Sequence, residues 1–586
     1  MTKNVFLRLW GYLKHYQTAL FLAIFLKILG ALASVLEPFI LGLAVTELTH
    51  SLVNHMPING EKIAFFLVLY GIRGLVSEIG SYGANYFMTR AVQRSIHDLR
   101  KDLSQKINQI PVSYFDQHKF GDMLGRFTND VETVSNALQQ SFLQVINAVL
   151  TLVMVIAMVI YLNIQLAIVV IVSIPLTYVL AKYMLSRSQP YFKRQADALG
   201  DMNGFVQENL TGFNVIKLYG REEASAQEFH QLLDEIQDIG FKASFRSGLM
   251  MPVLNAISDS AYLIIAVWGG LKVMAGVLTV GNLQAFVQYL WQIGQPIQTL
   301  TQLAGMLQSA RSSLERIFAV LDEEAESAEV TESLDHDLTG QVSFDHVDFQ
   351  YVADKPLIKD FNLEVEPGQM IAIVGPTGAG KTTLINLLMR FYDVTKGAIR
   401  VDGHDIRHLS RQDYRRQFGM VLQDAWLYEG TIKDNLRFAK LDATDEEIVA
   451  AAKAANVDHF IRTLPGGYNM EMNQESSNIS QGQKQLLTIA RALLADPKIL
   501  ILDEATSSVD TRLELLIQKA MSRLMEGRTS FVIAHRLSTI QEADKILVLN
   551  DGQIIEQGTH DKLLADKGFY HDLYMSQFAN QDTKSV

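Results

Sequence analysis

The sequence predicts a multidomain membrane protein in which an all-α domain of six transmembrane helices precedes an α/β domain. Three observations support this fold class. Of the 586 residues, 48% are hydrophobic, and the mean hydropathy of +0.12 is high for a soluble protein. The long apolar stretches lie before about Ala310. After about Gly340, short β-rich segments alternate with helical patterns, which is typical of a mostly parallel sheet.

Charge and cysteine content exclude several classes of site. The formal net charge of −12 and the isoelectric point near 5.7 give the chain no general basic character, so we expect no nucleic-acid partner. The chain has no cysteine, which excludes disulfides and thiolate metal sites. This composition is compatible with a reducing compartment.

Six apolar stretches are long enough to cross a bilayer, which takes about 20 mostly apolar residues in a helix. They lie near 18–46, 63–88, 139–162, 164–185, 248–276 and 278–306. The first continues past Ala33 and is interrupted by Lys27, so we interpret it as an uncleaved span and not as a signal peptide. We expect a membrane domain over 1–320, an acidic linker over 321–339 and the α/β domain over 340–586.

Lysine and arginine predict the orientation of the spans. They concentrate before the first span, between the second and third, and between the fourth and fifth, whereas the other connections carry few. Connections rich in positive charge are cytoplasmic, so we expect both termini in the cytoplasm. The two long cytoplasmic connections have apolar residues at helical spacing, which predicts helical hairpins with tips near 111–122 and 210–223.

The segment GPTGAGKT, at 375–382, matches a phosphate-binding loop between an apolar strand and a helix. Glycines let backbone N–H groups surround phosphate oxygens, a lysine neutralises their charge, and a threonine hydroxyl ligates Mg²⁺. We therefore predict a P-loop NTPase domain that binds ATP and Mg²⁺. The predicted ATP-binding residues in this segment are Gly375, Thr377, Gly378, Gly380, Lys381, Thr382 and Thr383.

The apolar segment ILILD ends at Asp503 and is followed by Glu504. On a strand beside the phosphate-binding loop, Asp503 would hold Mg²⁺ through water, and Glu504 would polarise the attacking water. Such a segment alone is often only the end of a buried strand. The assignment therefore depends on the motifs around it.

Six motifs resemble, in order, the nucleotide-binding domain of ATP-binding cassette (ABC) transporters. They are Tyr351, the phosphate-binding loop, Gln423 in VLQD, NISQGQKQ at 478–485, ILILDEATSSVD at 499–510 and His535 in IAHRLST. With the six preceding spans and two hairpins, the whole chain resembles a half-transporter of the exporter type. It is similar to the catalytically intact subunit of bacterial heterodimeric multidrug exporters.

This resemblance implies roles for residues on these motifs. Tyr351 would stack on adenine, and Gln423 would link the γ-phosphate and Mg²⁺ to the membrane domain. Glu504 would be the catalytic base, His535 the γ-phosphate sensor, and Asp510 part of a loop that crosses to the other subunit.

The resemblance also implies an enzyme that hydrolyses ATP to drive transport in a bacterial cytoplasmic membrane. The Mg²⁺ ligands would be Thr382, Gln423 and Asp503. Each ATP would lie between the phosphate-binding loop of one subunit and the signature turn of the other, so the chain would need a second half-transporter as partner.

The signature turn departs from the LSGGQ pattern of the family. It consists of Ser480, Gln481, Gly482 and Gln483, so glutamine replaces the first glycine. A side chain there would enter the gap beside the γ-phosphate of the partner's site and would restrict φ. One interpretation is a tolerated substitution in a homodimer. We favour the other, a heterodimer with unequal ATP sites.

Ionisable residues within or near the spans are costly in a bilayer and are candidates for lining a cavity. They are Lys27, Glu37, Arg73, Glu78 and Asp259. Asp259 is the best candidate among them for contact with a cationic substrate; the alternative is that these residues pair with one another or reach the lipid headgroups. The predicted function is export of hydrophobic or amphipathic small molecules, as in multidrug efflux. Lipid or peptide export, import on the same fold, and an ATP-operated regulator or channel that transports nothing are the alternatives.

Overall fold

The computed structural model describes residues 5–326, 338–352, 355–422, 425–473, 479–503, 511–533 and 540–578. The chain forms two compact units. The first consists of Met1–Ile110 and His118–Glu324, and the second of Pro111–Gln117 and Ala325–Val586. A short segment between two long helices of the first unit therefore belongs to the second.

The first unit is helical. Its helices are α1 (Val5–Leu13), α2 (Gln17–Val53), α3 (Gly60–Ile107), α5 (Phe120–Gly125), α6 (Val131–Leu162), α7 (Ile164–Thr211), α8 (Phe213–Tyr219), α9 (Glu222–Gly248), α10 (Met250–Met274) and α11 (Val280–Asp322). Between α3 and α5 the chain forms α4 (Val112–Gln117), which belongs to the second unit. At a rise of about 1.5 Å per residue, helices as long as α3 and α7 extend well beyond a hydrocarbon core of about 30 Å.

Five helical segments of the described chain are long and apolar enough to cross a membrane. They are Val5–Val53, Gly60–Ile107, Phe120–Leu162, Ile164–Thr211 and Glu222–Met274. The predicted sixth span, 278–306, falls in α11, which is not among these five. The physical reason is a row of amides every three or four residues along α11, at Gln284, Gln288, Gln292 and Gln295. One face of this helix is therefore polar.

Helices α2 and α11 touch through their backbones. A Cβ built on Gly281 would lie 1.7 Å from the carbonyl oxygen of Gly42, and a Cβ on Gly42 would lie 2.6 Å from that of Gly281. One turn away, the hydroxyl groups of Thr46 and Thr279 are 3.0 Å apart and hydrogen bonded. Thr279 also caps α11 by accepting a hydrogen bond from the N–H of Asn282. Glycine is required at this crossing because no side chain fits between the helices.

The second unit is an α/β domain. Its strands are β1 (Val342–Phe349), β2 (Ile358–Val365), β3 (Met370–Val374), β4 (Lys396–Val401), β5 (His404–Asp405), β6 (Phe418–Val421), β7 (Gly430–Thr431), β8 (Glu471–Met472), β9 (Ile499–Asp503), β10 (Thr529–Ile533), β11 (Lys545–Asn550) and β12 (Gln553–Gly558). Its helices after α11 are α12 (Lys381–Leu388), α13 (Arg411–Arg415), α14 (Ile432–Arg437), α15 (Asp445–Ala454), α16 (Asp458–Thr463), α17 (Gln481–Ala495), α18 (Thr511–Met525), α19 (His560–Ala565) and α20 (Phe569–Phe578).

The main sheet of this unit has six strands in the order β12-β11-β3-β10-β9-β6. All neighbours are parallel except β11 and β12. A four-stranded sheet of order β2-β1-β4-β5 packs into the same apolar core. The predicted fold class, an all-α membrane domain followed by an α/β domain, is confirmed. Four of the short β-rich segments after Gly340 form β3, β9, β10 and β11, with the sequences MIAIV, ILILD, TSFVI and KILVLN.

The register of the parallel strands brings the site motifs to one edge of the sheet. Ile533, at the end of β10, is paired with Ile373 of β3 and with Asp503 of β9. The C-terminal ends of these three strands therefore lie side by side. This is the edge at which ligands bind to open α/β sheets.

Candidate functional site

The loop between β3 and α12 has the backbone of a phosphate cradle. Gly375, Gly378 and Gly380 all have positive φ, of 153°, 86° and 100°. A Cβ on Gly375 would lie 2.3 Å from the carbonyl oxygen of Leu549 on β11, so only glycine fits there. The loop leads directly into the N-terminus of α12, whose free N–H groups favour an anion. These residues fit the phosphates of a nucleotide.

Lys381 is the cation of this cradle. Its Nζ donates hydrogen bonds to the carbonyl oxygens of Gly375, at 2.7 Å, and Pro376, at 3.0 Å, which holds the half-buried ammonium over the loop. Burial lowers the pKa of Lys381, and the negative charge of Asp503 at the end of β9 opposes that shift. The cation expected at the phosphates and the carboxylate expected at Mg²⁺ are therefore close enough to interact electrostatically.

The two threonines after Lys381 have different surroundings. Thr382 is exposed at the start of α12, where its hydroxyl is available to a metal ion. Thr383 is buried, and its Oγ1 accepts a hydrogen bond from the hydroxyl of Tyr351 at 3.3 Å. Thr383 therefore connects the phosphate-binding helix to the residue predicted to stack on adenine.

Tyr351 stands at the end of an aromatic cluster. Its side chain is 43% exposed, which leaves a ring face available for stacking. It packs edge-on against Phe349 and Tyr392, with ring centroids 4.8 Å and 4.9 Å away. The sequence analysis missed Tyr392. Its position, shortly after α12 in the segment FYD, carries no motif that would have revealed it.

Several predicted site residues lie outside the described residues. They are Gln423, Glu504, Asp510 and His535. Glu504 directly follows β9, and His535 lies two residues after the end of β10. Their predicted roles stay predictions, while Gly375, Thr377, Gly378, Gly380, Lys381, Thr382, Thr383 and Asp503 lie in or beside the cradle.

Comparison with known protein families identifies both parts of the chain. Residues 20–297 match the ABC transporter transmembrane region, and residues 358–507 match the ABC transporter family. The chain belongs to the ABC transporters. It is an exporter-type half-transporter, with one membrane domain and one nucleotide-binding domain, and its ATP hydrolysis is coupled to transport. ABC exporters work as dimers.

Relatives of this ABC transporter carry different names. It is 46% identical over 513 residues to the fatty acid ABC transporter ATP-binding/permease protein of Mycobacterium bovis, covering 88% of this chain and 80% of the relative. It is 40% identical over 578 residues to the ABC transporter ATP-binding protein YfiC of Bacillus subtilis, covering 98% and 95%. It is 33% identical over 522 residues to the ATP-dependent lipid A-core flippase of Syntrophus aciditrophicus, covering 89% and 86%.

The signature turn of this transporter opens α17. Ser480 is the N-cap, and its side chain accepts from the N–H of Gln483 while the Gln483 side chain accepts from the N–H of Ser480, which forms a capping box. Gln481 is the first residue of α17 and is exposed, whereas Gly482 is buried. Gln481 has helical backbone, which any residue adopts, so the restriction of φ by glutamine causes no strain at this position. The remaining difference from the signature turn of the family is the exposed side chain of Gln481.

The membrane domain of the transporter encloses a cavity of about 920 Å³ among α2, α3, α6 and α11. Its lining on α6 includes the amides of Gln139, Gln140, Gln144 and Asn147, and α11 adds those of Gln292 and Gln295. Lys27 of α2 is the cation among the described residues that line this cavity, and none of these residues is acidic. The polar row that made α11 less apolar than expected contributes part of this wall.

The other ionisable residues predicted as cavity candidates lie elsewhere. Glu37 accepts hydrogen bonds from the hydroxyl of Tyr70 and from Arg73, both at 2.8 Å, so it pairs α2 with α3. Asp259 is exposed on α10 and is not among the described residues lining this cavity. Its contact with a cationic substrate stays a prediction.

Proposed function

We propose that this transporter uses ATP hydrolysis to export amphipathic organic compounds across a bacterial cytoplasmic membrane. The observation that carries the proposal is the cavity in the membrane domain, which combines many polar amides with the apolar surfaces of Leu143, Trp291 and Pro296. Such a lining suits molecules with both a polar and an apolar part. Multidrug efflux is the form of this activity that we propose first.

Export of a dedicated lipid is the second candidate. It is supported by the 46% identical relative named as a fatty acid transporter and by the more distant relative named as a lipid A-core flippase. The lining also favours it, because Lys27 is the charged group among the described lining residues and none of them is acidic, so a hydrophobic cation would meet a like charge without a carboxylate partner.

We assign the ATP chemistry to residues inside and outside the described part of the chain. Lys381 would neutralise the phosphates, and Thr382 and Asp503, with Gln423, would hold Mg²⁺. Glu504 would act as the general base and His535 would contact the γ-phosphate. Bound ATP supplies the phosphoryl group whose transfer to water drives transport.

The assembly that we propose is a heterodimer with a second half-transporter. Ser480, Gln481, Gly482 and Gln483 would face the ATP site of the partner, with Asp510 in the loop that crosses between subunits. Gln481, exposed at the first position of α17, would extend a side chain toward that site, where the family has glycine. The chain's own site would hydrolyse ATP, and the partner's site would mainly bind it.

Both termini are proposed to be cytoplasmic, since the long connections of the membrane domain carry most of its lysine and arginine. The test of function uses inside-out membrane vesicles that contain the chain with its native partner. ATP-dependent uptake of dyes, lipids and peptides is measured in parallel with ATPase activity. Uptake of amphipathic compounds that disappears in the Glu504→Gln protein is the expected result. ATPase activity stimulated by these compounds without uptake of any of them would favour the regulator instead.

A further inference from the structure

We propose that Lys27 and the amides around it bind the anionic headgroup of an amphipathic substrate, a carboxylate or a phosphate group. This inference rests on the proposed export function and names the substrate class that the cavity accepts. The observations that carry it are the charge of the lining, the hydrogen-bonding state of Lys27 and the amide side chains of α6 and α11 that line the same cavity.

Among the described residues, the cavity lining carries positive charge and no negative charge. Lys27 supplies a positive charge, and the remaining polar groups of the described lining are amides and hydroxyls. Glu78 on α3 interacts electrostatically with Lys27, but it is exposed and does not line the cavity. An anionic headgroup therefore meets an opposite charge on the cavity wall. A cationic headgroup meets a like charge and no carboxylate.

Lys27 has hydrogen-bonding capacity left for a ligand. Its Nζ donates to the hydroxyl of Ser81 on α3 at 3.1 Å, which fixes the ammonium against the wall. A lysine ammonium has three N–H donors. The two donors that Ser81 does not use can bind headgroup oxygens, and hydrogen bonds between charged partners are about twice as strong as those between neutral ones.

The amides complete a site for oxygen-rich groups. Gln292 lines the cavity from α11, and its Oε1 atom is buried with no hydrogen-bond partner among the described residues, so no hydrogen bond to Oε1 holds the terminal amide in one orientation. Rotation of this amide exchanges Oε1 and Nε2, so Gln292 can accept from a hydroxyl or donate to an oxyanion. Gln144 and Asn147 on α6 offer the same choice across the cavity.

The apolar part of the substrate has its own surface. Trp291 and Pro296 lie on α11 next to the amides, and Leu143 lies on α6 between Gln140 and Gln144. An acyl chain or ring system can pack on these side chains while its headgroup reaches Lys27. The cavity thus discriminates by headgroup charge more than by the shape of the apolar part.

The test compares amphiphiles of one chain length that differ only in the headgroup. Tridecanoate, dodecyl phosphate, dodecanol and dodecyltrimethylammonium, which all carry a twelve-carbon alkyl chain, are bound to the full chain with its native partner in nanodiscs. We expect at least one anion to bind about tenfold more tightly than the alcohol and the cation, a difference typical of one charged hydrogen-bonded contact. The two anionic probes distinguish a carboxylate from a phosphate specificity.

Variants at position 27 test whether Lys27 causes the preference for anionic headgroups. Lys27→Gln should abolish the preference for the anion, and Lys27→Arg should keep most of it. Lys182→Gln is the matched control, because Lys182 is an exposed lysine of α7 outside the cavity lining, and it should behave as the wild type. The comparison of headgroups in the wild-type protein remains decisive if Lys27→Gln does not assemble.

Two results would overturn the inference. One is equal affinity for all four probes, and the other is an anion preference that survives in Lys27→Gln. Parallel uptake into inside-out vesicles separates this failure from failure of the proposed function. Uptake of the alcohol or the cation with no role for Lys27 would leave export standing, whereas ATP hydrolysis without uptake of any probe would reject both.

Discussion

The hydroxyl of Tyr392 donates a hydrogen bond to the carboxylate of Asp116, a residue 276 positions earlier in the chain. Asp116 lies in α4, the short segment that belongs to the same compact unit as Tyr392. Burial and then the Asp116 hydrogen bond raise the pKa of Tyr392, so the phenol remains a proton donor at neutral pH. The same ring packs against Tyr351. One side chain thus connects α4 to the predicted adenine site.

Tyr392→Phe should therefore weaken the coupling of transport to ATP hydrolysis. The change removes the hydrogen bond to Asp116, worth about 0.5–1.5 kcal/mol or somewhat more for a charged acceptor, and keeps the ring against Tyr351. We expect less transport per ATP hydrolysed and nearly unchanged ATP affinity. Uptake and ATPase rates measured on the same vesicles give this ratio.

Tyr468→Phe is the matched control for this prediction. Tyr468 also donates to an aspartate in the nucleotide-binding domain, Asp458, at 2.7 Å, and this hydrogen bond does not involve α4. Its ratio of transport to hydrolysis should equal that of the wild type. If Tyr392→Phe and Tyr468→Phe behave alike, the bond to Asp116 has no part in coupling.

Glu504→Gln should abolish most ATP turnover and preserve ATP binding, because the amide cannot accept a proton from water. Lys381→Ala should weaken both, because it removes the cation held over the phosphate cradle. Nucleotide binding and steady-state ATPase are measured on each variant with the native partner. Lys453→Ala, an exposed lysine of α15, is the control and should change neither. Turnover near the wild-type rate in Glu504→Gln would refute the assignment of the base.

A charge on the tip of the second hairpin should uncouple transport without unfolding the protein. Phe213 is 52% exposed on α8, beside exposed Val215 and Tyr219, so Phe213→Asp removes an apolar docking surface at little cost to stability. Phe241→Asp, a change at an exposed position along α9, should have a smaller effect on transport. Normal uptake in Phe213→Asp would show that this surface is not a contact.

In the first hairpin, we expect a charged substitution at Tyr114 to have a different effect. Tyr114 on α4 is buried, with 7% of its surface exposed. Tyr114→Asp places an unpaired charge in an apolar environment and should lower the thermal stability of the nucleotide-binding domain as well as coupling. Thermal unfolding curves for the two variants should therefore differ, with the melting temperature lowered only for Tyr114→Asp.

Gln481→Gly should change ATP hydrolysis little. The position is helical, so the substitution costs at most about 1 kcal/mol of helix stability, and the capping box of Ser480 and Gln483 is retained. In the proposed heterodimer, the rate of ATP hydrolysis at the partner's site would remain limited by the catalytic residues of that site. ATPase assays of Gln481→Gly and of the wild type, each with the native partner, compare these rates.

Expression of the chain without a partner tests the opposite interpretation, a homodimer. A stable homodimer with full transport and two equally active ATP sites would mean that Gln481 is a tolerated substitution. Purification with a related subunit that lacks a glutamate at the position equivalent to Glu504 would support unequal sites.

The parts of the site that could be predicted are local in sequence. Each of β3, β9 and β10 is a short apolar run buried on both faces, and glycine spacing alone located the phosphate cradle. The contact between Tyr392 and Asp116 could not be predicted, because nothing in either neighbourhood indicates a partner 276 residues away. Only the folded chain brings them together.

The membrane domain was harder to predict for a different reason. A hydropathy average cannot distinguish a helix that faces lipid on one side and a polar cavity on the other from a helix that faces lipid all round. The row of glutamines on α11 therefore falls within a stretch that the sequence predicts as an apolar span. Lys27 was one of five candidate residues, and sequence alone favoured Asp259. The cavity wall that includes Lys27 is formed by four helices, and their arrangement is a tertiary property.

The glycine contact between α2 and α11 offers an internal reference for spectroscopy. Because Gly42 and Gly281 bring the two backbones together and Thr46 bonds to Thr279 nearby, these helix ends can separate only by breaking a packed contact. A pair of spin labels on exposed positions of α2 and α11 close to this crossing should keep one distance throughout the transport cycle. Distances from either helix to other parts of the membrane domain can then be calibrated against that fixed pair.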